Sequence, residues 1–327
     1  MKTSLTILTA IATGVLLLMV ISEASKGNSR TFEVAEPVPL KLRYQVGKTL
    51  YYRLVRHTTM YGMDGSKFGE HRALAYFTRT RLQDDSQGRV TEDFTWKRFA
   101  FGQSMNPDAP AQLSCLKEAD NFSLTLCVQD EDMLSKLDFS NLPRTMDGFW
   151  FMVMSWDAVT FDGLVRPQKY FPFPDDAFIG TETKSTRGPH DFQFEYPPLV
   201  TDSKYSFSGK SSSRLLGVGV IKDIPCAIVE FSSLGNTITM NFDLDPVELR
   251  TQGFENFWGK TYLSLEDGRV VKGELVAPVA HVQDMLMPGQ DEPQHMEFLA
   301  LQKLDLEMLV RQDFDSEIKR SGPGEDH

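Results

Sequence analysis

The sequence predicts a mainly β protein, with long antiparallel meanders forming a curved sheet or incomplete barrel, and one or two helices and a Pro/aromatic-rich connector as cover. Three observations predict it. Residues 37–127 and 204–312 form two strand-rich blocks, with apolar and polar side chains alternating with period two in Arg89–Phe101 and Met296–Val310. Asp-Gly turns, at Asp64-Gly65 and Asp267-Gly268, punctuate both blocks. Between them, residues 128–203 join an all-round apolar stretch to clustered prolines and aromatics.

The first element is a leader. Lys2 precedes an apolar run from Leu5 to Ile21, and Ser22-Glu23-Ala24-Ser25 follows with small and polar residues. A charged start, a short apolar run and a small-x-small exit mark a secretory signal over 1–24, cleaved after Ala24. The run of about 17 residues lies at the lower limit for a spanning helix, so an uncleaved anchor is the alternative and the chain's only route to a membrane. No cysteine stands where acylation would need it. Residues 25–36 read as a flexible leader.

The first block reads as three long strands, Thr49–Tyr61, Phe68–Leu82 and Arg89–Phe101. In the third, Val90, Phe94 and Trp96 share one face, and Thr91, Asp93, Thr95 and Lys97 the other. Matching apolar partners across the first hairpin sets Leu54 opposite Leu74, Tyr52 opposite Tyr76 and Met60 opposite Phe68, with Met63-Asp64-Gly65 as the loop. That register also sets His57 opposite His71.

The middle region opens with Gln129–Asn141, where Met133, Leu134 and Leu137 recur at helical spacing. Asp147–Asp157 is apolar on every side, so it is buried or covers something apolar; a helix is the first choice and a buried strand the second. Residues 166–203 hold six prolines and seven aromatics and read as a connector packed over a sheet edge or mouth.

In the second block the candidate strands are Tyr205–Gly219, Ile224–Leu234, Thr237–Phe242, Asn256–Leu265, Arg269–Val276 and Met296–Val310. Gly217-Val218-Gly219 lacks a third glycine and a following helix, so it reads as a bend or bulge. Gly47-Lys48-Thr49 and Gly259-Lys260-Thr261 open similar stretches, a likeness that convergent meander geometry explains without a repeat. Residues 313–327 read as a polar, frayed tail.

Composition narrows the function. Hydrophobic residues make up 41% and charged residues 24%, which is a globular chain. The net charge of -11 repels phosphate backbones and anionic lipid surfaces, which argues against nucleic-acid partners. Cys115 and Cys127 flank a turn-like segment and either pair or stay as thiols; Cys226 sits in a strand as an inert core thiol. The histidines include no His-x-His and no helical ligand pair, and Arg53, Arg56 and Arg72 oppose a cation beside His57 and His71. No nucleophile elbow, calcium loop or dinucleotide fingerprint occurs, so no catalytic residue, metal site or cofactor is assigned.

Two resemblances follow from the order of elements. The stretches Gln45-Val46-Gly47-Lys48-Thr49-Leu50-Tyr51-Tyr52-Arg53-Leu54 and Leu263-Ser264-Leu265-Glu266-Asp267-Gly268-Arg269-Val270-Val271-Lys272-Gly273 resemble exported bacterial β-meander proteins of uncharacterised function. The architecture also looks like periplasmic lipoprotein carriers, in which helices and loops cover an incomplete barrel. These resemblances imply an exported, periplasmic or extracellular β protein, and neither transfers a binding residue.

The resulting expectation is a non-enzymatic exported protein with an apolar groove for a lipid-like or other hydrophobic molecule. Trp150, Phe151, Met154, Trp156, Phe171 and Phe173 are its expected lining. An envelope structural or protein-interaction module is the alternative, and a hydrolase with dispersed carboxylates the third.

Overall fold

The computed structural model describes residues 37–43, 45–84, 90–127, 139, 142–163, 176–184, 190–207, 210–244, 247–287, 290 and 292–320. The signal and leader, the expected helix at 129–141 apart from Phe139, the connector at 164–175 and the last seven residues therefore lie outside the described residues.

The strands are β1 (Val38–Pro39), β2 (Thr49–Gly62), β3 (Lys67–Arg81), β4 (Thr91–Ser104), β5 (Ser114–Cys115), β6 (Ser123–Cys127), β7 (Asp176–Ala177) and β8 (Glu182–Lys184). They continue with β9 (His190–Tyr196), β10 (Val200–Phe207), β11 (Ser211–Ile221), β12 (Ile224–Asp243), β13 (Glu248–Ser264), β14 (Val270–Leu286) and β15 (Gln294–Leu309). The helices are α1 (Met146–Gly163) and α2 (Arg311–Arg320). Thirteen strands form one antiparallel sheet whose main path runs β5-β4-β3-β2-β15-β14-β13-β12-β10-β9 and does not close. The two predicted meanders are thus one continuous sheet, joined where β15 pairs β2, with Leu304 opposite Arg56. At β12 the sheet forks: Ile224–Ser233 pairs with β11, and Thr237–Phe242 with β10.

The sheet wraps around α1. In a flat sheet, six strand spacings would separate β4 from β12 by about 29 Å. Yet Phe149 meets Phe242 on β12 with ring centroids 5.2 Å apart, and Phe151 meets Trp96 on β4 at 5.0 Å. Two side chains two residues apart on one helix reach both strands only because the sheet curls into an incomplete barrel. Thr145 starts the helix by accepting the Gly148 N–H through Oγ1 at 3.3 Å. Gly148 is required there, because a Cβ would stand 2.2 Å from the Pro143 carbonyl oxygen.

The first hairpin departs from the expected register. Tyr52 lies opposite Phe77, Leu54 opposite Ala75 and Met60 opposite Gly69, and His57 faces Arg72 while Thr58 faces His71. Matching large apolar partners failed because Leu74 and Tyr76 face outward, where α2 covers them: Tyr76 and Leu309 pack with buried Phe314. The concave face instead takes small Ala73 and Ala75. The loop is Met63–Ser66, one residue longer than expected, with Gly65 at φ 83° as its turn requires. The third strand alternates as predicted, and Glu92, out of pattern on its buried face, pairs with Arg79 at 2.6 Å.

Other expectations are corrected. Cys115 lies opposite Ala100 and Cys127 opposite Thr91, nine residues apart along β4 and so about 30 Å, which rules out a disulfide between them. The segment between them is no hairpin: β5 and β6 both pair with β4 and run in the same direction. Residues 190–203 of the expected connector, together with 204–207, form the hairpin β9–β10, because Phe192, Phe194 and Tyr196 alternate. Residues 313–320 of the expected frayed tail belong to the helix Arg311–Arg320, since Phe314 buries against Tyr51 and Tyr76. Gly259-Lys260-Thr261 lies inside β13 and opens no strand, so the apparent repeat disappears. The helix at 146–163, the strand at Met296–Leu309 and the bulge between Leu215 and Gly217 match the sequence reading.

Candidate functional site

The two faces of α1 meet different surroundings. Phe151, Met152, Met154, Ala158 and Phe161 are all at most 2% exposed and pack into the core. Trp150, Val153, Trp156, Asp157 and Thr160 recur at spacings of one helical face and line a cavity of about 1040 Å³ between helix and sheet. This explains why the helix is apolar all round. Of the six residues expected to line a groove, Trp150 and Trp156 border the cavity; Phe151 and Met154 lie on the core face, and Phe171 and Phe173 lie outside the described residues.

Trp150 stacks on Phe101 at 5.1 Å, and Trp156 is met edge-on by Phe192 at 5.3 Å and Phe194 at 5.1 Å. Across the cavity stand apolar residues of β2, β14 and β15, among them Met60, Val279 and Phe298. A cavity this large is at the top of the range for small-molecule sites.

A polar cluster interrupts this apolar wall. Arg56 points inward from β2 and donates to Asp157 Oδ2 and to Gln302 Oε1, each at 2.6 Å. Its guanidinium carbon lies 5.6 Å from the Trp150 ring centre. The Tyr205 hydroxyl on β10 donates to Glu255 Oε2 on β13. Burial pushes the Asp157 carboxyl upward, against the opposing pull of Arg56. Burial also pushes Glu255 upward, offset in part by Tyr205 and Arg56 and reinforced by the charge of Asp157. Glu255 is thus deep in the molecule, yet its side chain borders the cavity.

Two histidines line the same space. Burial, helped by Arg56, lowers His71 to about 4, and burial alone lowers His281 to about 4, so both rings are neutral at pH 7. Among the described residues no three His, Cys, Asp or Glu side chains converge as metal ligands. Sequence reasoning missed Arg56, Asp157, Tyr205, Glu255 and Gln302. A signal existed for Arg56 alone: it breaks the inward series Tyr52, Leu54, Arg56, Thr58, Met60 with a charge.

No family model matches the chain, and no curated protein matches it. Among solved structures, an exported protein with a YmcC-like fold from Bacteroides fragilis is 8% identical, with a TM-score of 0.14 over 80% of this chain and 97% of that one. An outer membrane channel from Pseudomonas putida F1 is 10% identical, with a TM-score of 0.14 over 81% and 97%. OccK5 (OpdH) of Pseudomonas aeruginosa is 8% identical, with a TM-score of 0.18 over 81% and 98%. Likenesses at these scores carry no argument about fold or function.

Proposed function

We propose that the protein is an exported, non-enzymatic carrier or receptor for a hydrophobic small molecule. The observation that carries this reading is the cavity of about 1040 Å³ held open between α1 and the sheet. Trp150 and Trp156 form its helical wall, and Arg56, Asp157 and Glu255 form a polar spot in it. A few polar groups in an apolar concavity are what small-molecule sites use to orient a ligand. Export rests on Lys2, the run Leu5–Ile21 and the small residues before Ser25.

The test is a titration of the delipidated protein with an apolar fluorophore, together with mass spectrometry of organic extracts of the native protein. Saturable enhancement at micromolar protein, competed by the extracted material, is the expected result. Enhancement that never saturates, with empty extracts, refutes the reading. N-terminal sequencing of the secreted chain should begin at Ser25.

A second reading is a hydrolase, favoured by Asp157 and Glu255, two carboxyls that burial pushes upward in one cavity. It ranks lower because Arg56 holds the first and Tyr205 the second, so neither is aimed at a shared reacting atom. The third reading, an envelope interaction module that pairs through the open sheet edges, predicts specific crosslinks along β9 in native envelopes.

A further inference from the structure

The polar spot sets the kind of molecule the cavity favours. Among the described residues its ionisable wall groups are one cation, Arg56, and three carboxyls, Asp157, Asp191 and Glu255, with His71 and His281 beside them as neutral rings. Asp191 is exposed and paired with Lys204 at 2.6 Å, which leaves Arg56 alone to offset the two acids Asp157 and Glu255. With both acids ionised the wall is one positive charge short. An uncompensated carboxylate in an apolar space is costly, and a ligand that brings one positive charge removes that cost.

Three further observations point the same way. First, the one cation of the polar spot is already committed within the wall. The Asp157 side chain is 15% exposed and that of Arg56 10%, and the guanidinium is already bonded to Asp157 and Gln302. The indole N–H groups of Trp150 and Trp156 have no hydrogen-bond partner, yet both are shut off from the cavity space, so neither is offered to an anion there.

Second, aromatic faces surround the carboxyls. Tyr205, bonded to Glu255, lies 4.8 Å from Phe207, and Trp156, one residue before Asp157, sits against Phe192 and Phe194. Aromatic rings beside a carboxylate bind ammonium groups through the ring quadrupole. Third, the net charge of the chain is -11, which draws cations toward the opening.

We propose that the cavity binds an apolar molecule carrying one amine or quaternary ammonium group, seated between Asp157 and Glu255 against Trp156 and Tyr205. This rests on the binding reading above and adds the charge of the ligand. The Glu255 carboxylate takes the positive group in place of water, the Tyr205 hydroxyl keeps that carboxylate oriented, and the apolar body lies along Val153, Met60 and Phe298.

The test compares three probes with the same twelve-carbon chain, dodecyltrimethylammonium, dodecyl sulfate and dodecanol, by displacement of an apolar fluorophore below their micelle concentrations. The cationic probe should bind at least about tenfold tighter than the other two, a difference of about 1.4 kcal/mol. Glu255→Gln should remove most of that advantage and leave dodecanol unchanged. Tyr205→Phe, which keeps the ring, should lower the advantage less. Salt separates the site from the general surface charge, because a buried contact is screened far less than an exposed one.

Dodecanol binding as tightly as the ammonium probe, or dodecyl sulfate binding tighter, overturns this inference while the binding reading stands. An advantage that survives Glu255→Gln, or that vanishes at moderate salt, overturns it too. Displacement by none of the three, with no saturable fluorophore site, overturns the binding reading itself. If Glu255→Gln fails to fold, Tyr205→Phe with the three-probe ranking on the wild-type chain decides.

Discussion

The two ends of the incomplete barrel are built on different principles. At the end where β13 turns into β14, residues 38–42 cross as a strap: Val38, Leu40 and Leu42 are 2%, 4% and 5% exposed. The Arg43 N–H donates to the Asp267 carbonyl at 2.8 Å, and Lys48 and Arg269 both pair with the Asp267 carboxylate. At the other end, the strand ends of β2, β3, β13 and β15 reach the cavity through Met60, Phe68, Leu249 and Met296, and the lining residues Met105, Met296 and Leu244 remain 57%, 41% and 37% exposed. One end satisfies its backbone and seals its core; the other leaves apolar side chains around an opening. The sealed end carries stability, and the open end is free to carry binding.

The sharpest way to break the comparison is to wedge the strap. Gly268 has φ 73°, and a Cβ there would stand 2.3 Å from the Lys41 carbonyl oxygen. Gly268→Val must both strain its own backbone and move the strap, and should cost about 4 kcal/mol in urea unfolding. Gly65, in the turn at the open end, has φ 83° with nothing near its missing Cβ. Gly65→Ala pays only the left-handed conformation, about 1 kcal/mol. Equal losses at the two glycines would remove the distinction.

The next effect is the ion pair at the sealed end. Asp267 has its side chain 6% exposed, between Lys48 and Arg269. Burial alone would raise its carboxyl, but Arg269 and Lys48 outweigh this and hold it below the ordinary value of 3.8. A lowered folded-state value means a contribution fully present above the unfolded value and lost as pH falls through the folded one. Asp267→Asn should therefore cost about 3 kcal/mol at pH 7, because it strands two cations. The gap between mutant and wild type should narrow only below about pH 4, as measured by unfolding across a pH series.

Legibility in the sequence followed the same division. Period-two alternation exposed the strands, and Asp267-Gly268 exposed the sealing turn, because both are local signals. The all-round apolar stretch around Trp150 and Trp156 announced an element buried or covering something apolar, with a helix as first choice, and it is a helix. It assigned Phe151 and Met154 to the groove along with Trp150 and Trp156, and they lie on the core face, since which face meets the cavity depends on how far the sheet curls. The register of β2 with β3 misled for the same reason: Leu74 and Tyr76 are apolar outward because of α2, some 240 residues later in the chain. Apart from Arg56, which breaks the inward series of β2, the polar cluster left no signal, because Arg56, Asp157, Tyr205, Glu255 and Gln302 come from five elements and share no spacing.

A smaller and opposite effect belongs to the cavity. Burial there raises Glu255 above its ordinary 4.5, with the Asp157 charge adding to the rise. The sign is the reverse of that at Asp267. A carboxyl raised in the folded state binds its proton more tightly folded than unfolded, so it costs stability as pH climbs past the unfolded value toward neutrality. Glu255→Gln replaces the acid with a neutral group of the same shape that still accepts from Tyr205. The variant should be as stable as wild type at pH 4 and slightly more stable at pH 7, by under about 1 kcal/mol because the side chain borders an open space. A loss at pH 7 would mean that the ionised carboxylate is held by its neighbours as Asp267 is, and that both ends of the barrel spend their charges on the fold.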